Sequence, residues 1–346
     1  MTEEGIKLKL GISIGDLNGI GCEVALKTFE DSRMLEFCTP VIFASTKTIS
    51  HQKNDLGIDI AYHGIQHASD ALDGKINIVN VWKDAPAPEF GQPTKESGSY
   101  AIKSLRAAVK ALKNNEIDLL VTAPINKNNI QAEDFDFPGH TDYLAQELQG
   151  ESLMFMVTEN LKIGLLTDHV AVKDVAGLIT PELVRRKVEI VMQSLKMDFA
   201  IRRPRIAVLG INPHSGDHGV IGKEDDEVLR PVIRKMSDEG MLVYGPYSAD
   251  SFFGSGTHEK FDAVLAAYHD QEGREFYRWP EPGSYIPGPW DCLRNSRQGA
   301  GRLQFVQGGR LYGAANIQEQ GGISGINGQC PAKAKKEKVI ALTLSE

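Results

Sequence analysis

Three histidines each follow a short apolar run: His169 in "IGLLTDHVAV", His214 in "LGINPHSGDHG" and His269 in "LAAYHDQ". One such histidine is usually a hydrogen-bonded turn residue. Three in equivalent places, each near carboxylates, point to a divalent-metal site, in which neutral imidazoles supply nitrogen ligands and open positions remain for substrate oxygens. His218 reads as a bystander, and Asp168, Asp217 and Asp270 as carboxylates that would orient the ligand rings.

Other polar groups also gather where apolar runs end. In "ISIGDLNGIGCEVALKTF", Gly15, Asp16, Asn18, Gly19 and Gly21 stand between a strand pattern and a helix pattern. Glycines there allow close backbone approach and a helix N-terminus favours anions, but the same residues also make an ordinary tight turn. The spacing is not GxGxxG, so a standard Rossmann cofactor site is not indicated. "LVTAPINK" ends a strand with Thr122, Pro124, Asn126 and Lys127, a set able to hold a carboxylate or phosphate. In "FPGHTDYLAQEL", Pro138 and Gly139 turn the chain and Thr141 is placed to cap a helix, while His140 is either a polar loop residue or a binding group.

These groups need a scaffold, and the chain supplies one as far as Gln271. Short aliphatic runs alternate with segments of helical period, the sequence form of a βαβ architecture, whose ligands bind at the carboxyl ends of strands. Strands are expected at "LKLGISI", "PVIFAS", "KINIVNVW", "IDLLVTAPI", "SLMFMVTE", "LKIGLLTD", "RIAVLGIN" and "FDAVLAAY". Ile102, Leu105, Val109 and Leu112 mark one amphipathic helix, and Val184, Val188, Val191 and Leu195 another. The region of "TENLKIG" is where two strands would pair as a hairpin.

With 346 residues, 41% hydrophobic and 24% charged, the chain can bury a sizeable core, as roughly two domains or as one large α/β unit. A net charge of -8 argues against a nucleic-acid surface, though a local basic pocket for a small phosphate is compatible with it. Cys22, Cys38, Cys292 and Cys330 form no CxxC pair and read as reduced bystanders. The acidic N-terminus is unlike a signal peptide and no apolar run is long enough to span a membrane, so a cytoplasmic protein is expected.

Taken together, "GDLNGIGCE", "TAPINK", "FPGHTDYLA", "TDHVAVKDV", "NPHSGDHGVIGKED", "GPYSADSFF" and "DAVLAAYHDQ" resemble, in words and in order, the 4-hydroxythreonine-4-phosphate dehydrogenase family of pyridoxal phosphate biosynthesis. The likeness runs from about Lys7 to Gln271. It departs at Leu17 and Asn18, where the family more usually has Pro and Ala, and at "LTDH", where a second Thr is common. It implies an α/β fold like that of isocitrate and isopropylmalate dehydrogenases, with two α/β subdomains around a central cleft, and a homodimer. It further implies NAD (or NADP) bound without a Rossmann fingerprint and one divalent cation (Zn, Mg or Co) on His169, His214 and His269. His140 and Thr141 match the family's substrate-binding pair. The implied reaction oxidises 4-phosphooxy-L-threonine, a phosphorylated hydroxy-amino acid, to 2-amino-3-oxo-4-phosphooxybutanoate, which decarboxylates to 3-amino-2-oxopropyl phosphate. A Lewis acid suits both the oxidation and the loss of carbon dioxide.

After Gln271 the pattern changes to a segment rich in Gly, Arg, Gln and Pro with no visible buried face. "YIPGPWDCLRNSRQG", residues 285–299, can be back-translated so that reading from the second base of each codon gives TSPDHGTAYEIAGKG, a family-like segment. The same offset turns "FVQGGRLYG", residues 305–313, into SFKEAVYMA, like the family's last helix. The expected organisation is therefore a catalytic core at 1–271 and an out-of-frame, poorly ordered tail at 272–346. Three other functions stay open: a threonate or erythronate 4-phosphate dehydrogenase, an inactive truncated product, and a phosphate acyltransferase of similar fold.

Overall fold

A computed structural model describes residues 7–131, 135–137, 139–149, 152–157, 161–168 and 170–272, with strands at 303–307, 310–315 and 342–343. The chain divides into two compact units, Met1–Glu151 with Tyr285–Glu346, and Ser152–Ser284.

The first unit begins with β1 (Leu8–Ser13), α1 (Gly21–Thr28) and the single turn α2 (Met34–Phe37). There follow β2 (Cys38–Ala44), α3 (Thr46–Leu56), β3 (Tyr62–Ile65), β4 (Ile76–Asn80), α4 (Lys95–Lys113), β5 (Leu119–Thr122) and α5 (His140–Leu148). β1 lies between β2 and β5, and every pairing among β1 to β5 is parallel. Central strands are apolar on both faces, as parallel strands covered by helices must be: β2 and β5 are buried at every residue. α4 explains its own start and finish. Thr94 caps it by accepting the Ser97 N–H at 3.1 Å, Glu96 lies in the first turn, and Lys110 and Lys113 lie in the last. Its expected apolar face is buried throughout, at Ile102, Leu105, Val109 and Leu112.

The second unit carries β6 (Phe155–Val157), β7 (Lys162–Leu165), α6 (Val172–Leu178), α7 (Pro181–Met197), β8 (Ile206–Leu209), α8 (Arg230–Asp238), β9 (Val243–Tyr247), α9 (Ala249–Gly254) and β10 (Ala263–Ala266). Its sheet runs β6-β7-β10-β8-β9. β6 and β7 are antiparallel, as expected near "TENLKIG", and the other pairings are parallel. α7 is capped by Thr180, which accepts the Leu183 N–H at 3.2 Å, and begins with Pro181, where no amide partner is needed. Val184, Val188, Val191 and Leu195 are fully buried.

All eight expected strands form, and β3 and β9 were not expected. Both are edge strands, and their sequences, "YHGI" and "VYGPY", are broken by Gly or Pro and lack an apolar run. Of the segment after Gln271 the described parts are Glu272 and three strands. β11 (Leu303–Gln307) and β12 (Arg310–Ala315) pair antiparallel, and β13 (Leu342–Thr343) pairs parallel with β5. The remainder of the expected tail lies outside the described residues. No described helix is long and apolar enough to cross a membrane.

Candidate functional site

In the first unit the connection from β1 to α1 is packed by its own chain. A Cβ on Gly15, at φ +64°, would fall 2.2 Å from the Pro124 carbonyl oxygen. Asp16 is buried and fully engaged: its backbone N–H donates to Pro124 at 2.9 Å, Oδ1 accepts the Asn18 N–H at 2.9 Å, and Oδ2 accepts the Asn129 amide at 2.7 Å. Asn18 in turn ties to the carbonyl of Gln92 at 2.7 Å and to the N–H of Glu89 at 2.9 Å. The stretch is a tight turn whose polar side chains Asp16 and Asn18 brace the neighbouring "APINKNN" loop and the 89–92 segment.

That loop carries Lys127 towards His140. His140 is the first residue of α5 and is 2% exposed, yet among the described residues neither ring nitrogen has a hydrogen-bond partner. Burial, and secondly the positive charge of Lys127, push its pKa from 6.5 down to about 3. At neutral pH the ring is therefore an uncharged imidazole with one donor and one acceptor. Thr141 is not the cap. Gly139, in extended conformation, occupies that position, and Thr141 falls inside the first turn, half-buried. Gly139 has no side chain with which to cap α5. A neutral imidazole, a hydroxyl, a helix N-terminus and an ammonium are, by their chemistry, groups that can hold an anion.

In the second unit the three expected metal ligands follow three neighbouring strands, since the sheet order is β7-β10-β8. His214 lies five residues beyond β8 and His269 three beyond β10. His169 lies four residues beyond β7 but outside the described residues. The Nδ1 of His269 is 2.9 Å from an Asp270 carboxylate oxygen, which can only accept, so in the neutral ring this contact favours the Nδ1–H tautomer and leaves Nε2 available to a metal. Asp168, just before His169, lies 3.9 Å from the buried ammonium of Lys187 on α7, which also donates to the Ser152 carbonyl at 2.8 Å. Among the described residues no three His, Cys, Asp or Glu side chains gather closely enough to hold a metal ion.

Two residues with structural claims on these sites were not singled out from sequence. Asn129 joins Asp16 to Ser97, and Asp225, in the acidic run 224–227, is fully buried beneath the His214 turn. The cysteines behave as expected where described: burial pushes the thiols of Cys22 and Cys38 up to about 12, which leaves them unreactive.

A family model described as "Pyridoxal phosphate biosynthetic protein PdxA" matches residues 36–274. The chain is 43% identical over 267 residues to a 4-hydroxythreonine-4-phosphate dehydrogenase of Bacteroides thetaiotaomicron, covering 77% of this chain and 73% of that one. It is 33% identical to a D-threonate 4-phosphate dehydrogenase of Cupriavidus necator, covering 76% and 80% respectively. The crystal structure of a 4-hydroxythreonine-4-phosphate dehydrogenase from Burkholderia phymatum superposes with a TM-score of 0.70 at 28% identity, covering 89% of each chain.

Proposed function

The chain belongs to the PdxA family of dehydrogenases, and from that premise we propose that it oxidises 4-phosphooxy-L-threonine with NAD or NADP, the product then decarboxylating to 3-amino-2-oxopropyl phosphate. The observation that carries the substrate class is His140. A fully buried ring with two unmet hydrogen-bonding nitrogens costs stability unless a ligand completes it, and the adjoining Lys127 and α5 N-terminus favour a phosphorylated or carboxylated one. His140 and Thr141 are the substrate-binding pair in this reading. Because His140 stays neutral, it adds directional hydrogen bonds without a second positive charge beside Lys127.

Three imidazoles are, by their chemistry, a donor set for a divalent cation. The three histidines follow three neighbouring strands, and the Asp270 carboxylate beside Nδ1 of His269 favours the neutral tautomer that leaves Nε2 for a metal. His169, His214 and His269 would hold Zn, Mg or Co, which supplies Lewis acidity at the substrate oxygens when bound. A nicotinamide cofactor, when bound, would supply the hydride acceptor. The fold is of the isocitrate and isopropylmalate dehydrogenase type, and the active form is a homodimer.

The second reading, a D-threonate or erythronate 4-phosphate dehydrogenase, rests on the Cupriavidus relative. The two substrates differ at C2, amino against hydroxyl. NADH formation by the purified protein with each substrate separates them: at least tenfold higher kcat/KM on 4-phosphooxy-L-threonine is expected, and the opposite ranking would replace the first reading with the second. Loss of turnover on chelation is expected of either dehydrogenase and would count against a phosphate acyltransferase.

The segment after Gln271 is proposed to be an out-of-frame translation, since one offset restores two family-like segments in order. In that case the protein as written lacks the family's closing strands and helix, and restoring the frame recovers turnover.

A further inference from the structure

We infer that Asp225 is a positioning residue for His214, its buried carboxylate holding the strained turn that presents the imidazole. The inference rests on the reading of His214 as a metal ligand. Beyond β8 the chain meets this carboxylate twice in succession: the Ile211 N–H donates to Oδ1 at 2.7 Å and the Asn212 N–H to Oδ2 at 3.0 Å. The Asn212 side-chain amide adds a bond to Oδ2 at 2.9 Å and another to Glu224 at 2.8 Å. From there the backbone turns left-handed through side-chain-bearing residues, with φ of 52° at His214, 51° at Ser215, 43° at Asp217 and 54° at His218. L-residues resist that region, so such a run persists only where its surroundings over-determine it.

Asp225 supplies that constraint. It is 0% exposed and opens a π-helical turn, Asp225–Leu229, that leads into α8. Isolated π-turns of this kind recur at functional sites. Within the turn the Ser215 N–H donates to the Asn212 carbonyl at 3.0 Å, which ties it to the residue that Asp225 holds, and the Asp217 N–H donates to the His214 carbonyl at 3.2 Å. A carboxylate suits the position because it only accepts, and three donors from two consecutive residues converge on it. A carboxamide there would turn a donor towards donors. Burying an anion to hold one turn is accounted for if the turn must keep a ligand ring in place.

The test is titration of the full chain with Co2+, followed by calorimetry and by the visible d–d absorption of the bound ion. Wild type should bind, and His214→Ala should weaken binding at least 100-fold. Asp225→Asn should weaken it tenfold or more and change the d–d spectrum while circular dichroism stays that of a folded protein. His218→Ala should bind as wild type does. A folded Asp225→Asn protein with wild-type affinity and spectrum would overturn the inference. If Asp225→Asn does not fold, Asn212→Ala decides: weaker binding with a changed spectrum supports the inference, and wild-type binding overturns it. If wild type does not bind Co2+, or His214→Ala binds equally well, the metal reading itself falls and the inference with it.

Discussion

At the scale of single residues, His140 separates binding from stability. Its pKa of about 3 in the folded chain, against an ordinary 6.5, means that below pH 6.5 the unfolded state takes up a proton that the folded state refuses. Its contribution is therefore fully present above pH 6.5 and lost as pH falls towards 3, at up to about 1.4 kcal/mol per pH unit. Denaturant melts between pH 4 and 7 check this, and His140→Gln should flatten the profile in that window. His140→Leu should leave the melting temperature unchanged or raise it, because it removes two unmet polar atoms from a buried place. The same change should reduce turnover more than a hundredfold in the frame-restored protein. Retained turnover in that variant would remove His140 from the site. Sequence could nominate His140 by its place in "FPGHTD", but not its burial or its missing partners, which depend on α5 and the "APINK" loop being packed together.

At the scale of elements, the Asp16–Asn129 bond joins the bond from the Asp16 N–H to Pro124 in holding the "APINKNN" loop against the β1–α1 turn. Asp16→Asn turns an amide towards the Asn129 amide and should cost about 1.5 to 3 kcal/mol, the range for hydrogen bonds to charged groups. Adding Asn129→Asp restores a donor facing an acceptor and should recover at least half of that loss in urea melts. No recovery would mean that the pair is not coupled as drawn. Gly98 marks a second close approach, since a Cβ there would fall 2.1 Å from the Asn129 carbonyl oxygen on the same loop. Gly98→Ala should therefore lower stability despite alanine's better helix propensity, and raise KM more than it lowers kcat. A stabilised Gly98→Ala protein would show that the loop can give way. The helices themselves were plain in the sequence because α4 and α7 bury residues at a regular period and carry their own caps. The edge strands β3 and β9 were not, because an edge strand can form from a sequence too polar or too broken to announce itself.

At the scale of the whole molecule, restoring the reading frame after codon 271 should recover NAD-dependent turnover, protease resistance and solubility together. Equal activity in the protein as written would refute the frame-shift account. The sequence by itself determined the alternation of strands and helices up to Gln271, the pairing of β6 with β7, and the family, because apolar period and motif order are local properties of the chain. It also placed His169, His214 and His269 after strands. Only the tertiary structure decided that those strands are neighbours, since sheet order β7-β10-β8 is not chain order. It likewise decided that Asp16 braces the loop that carries Asn129, and that Asp225 lies buried under a left-handed turn while its neighbour Asp226 pairs at the surface with Arg230. The physical reason is the same in each case. A carboxylate or an imidazole acquires its role from the donors, charges and burial around it, and those are brought to it by segments tens to a hundred residues away.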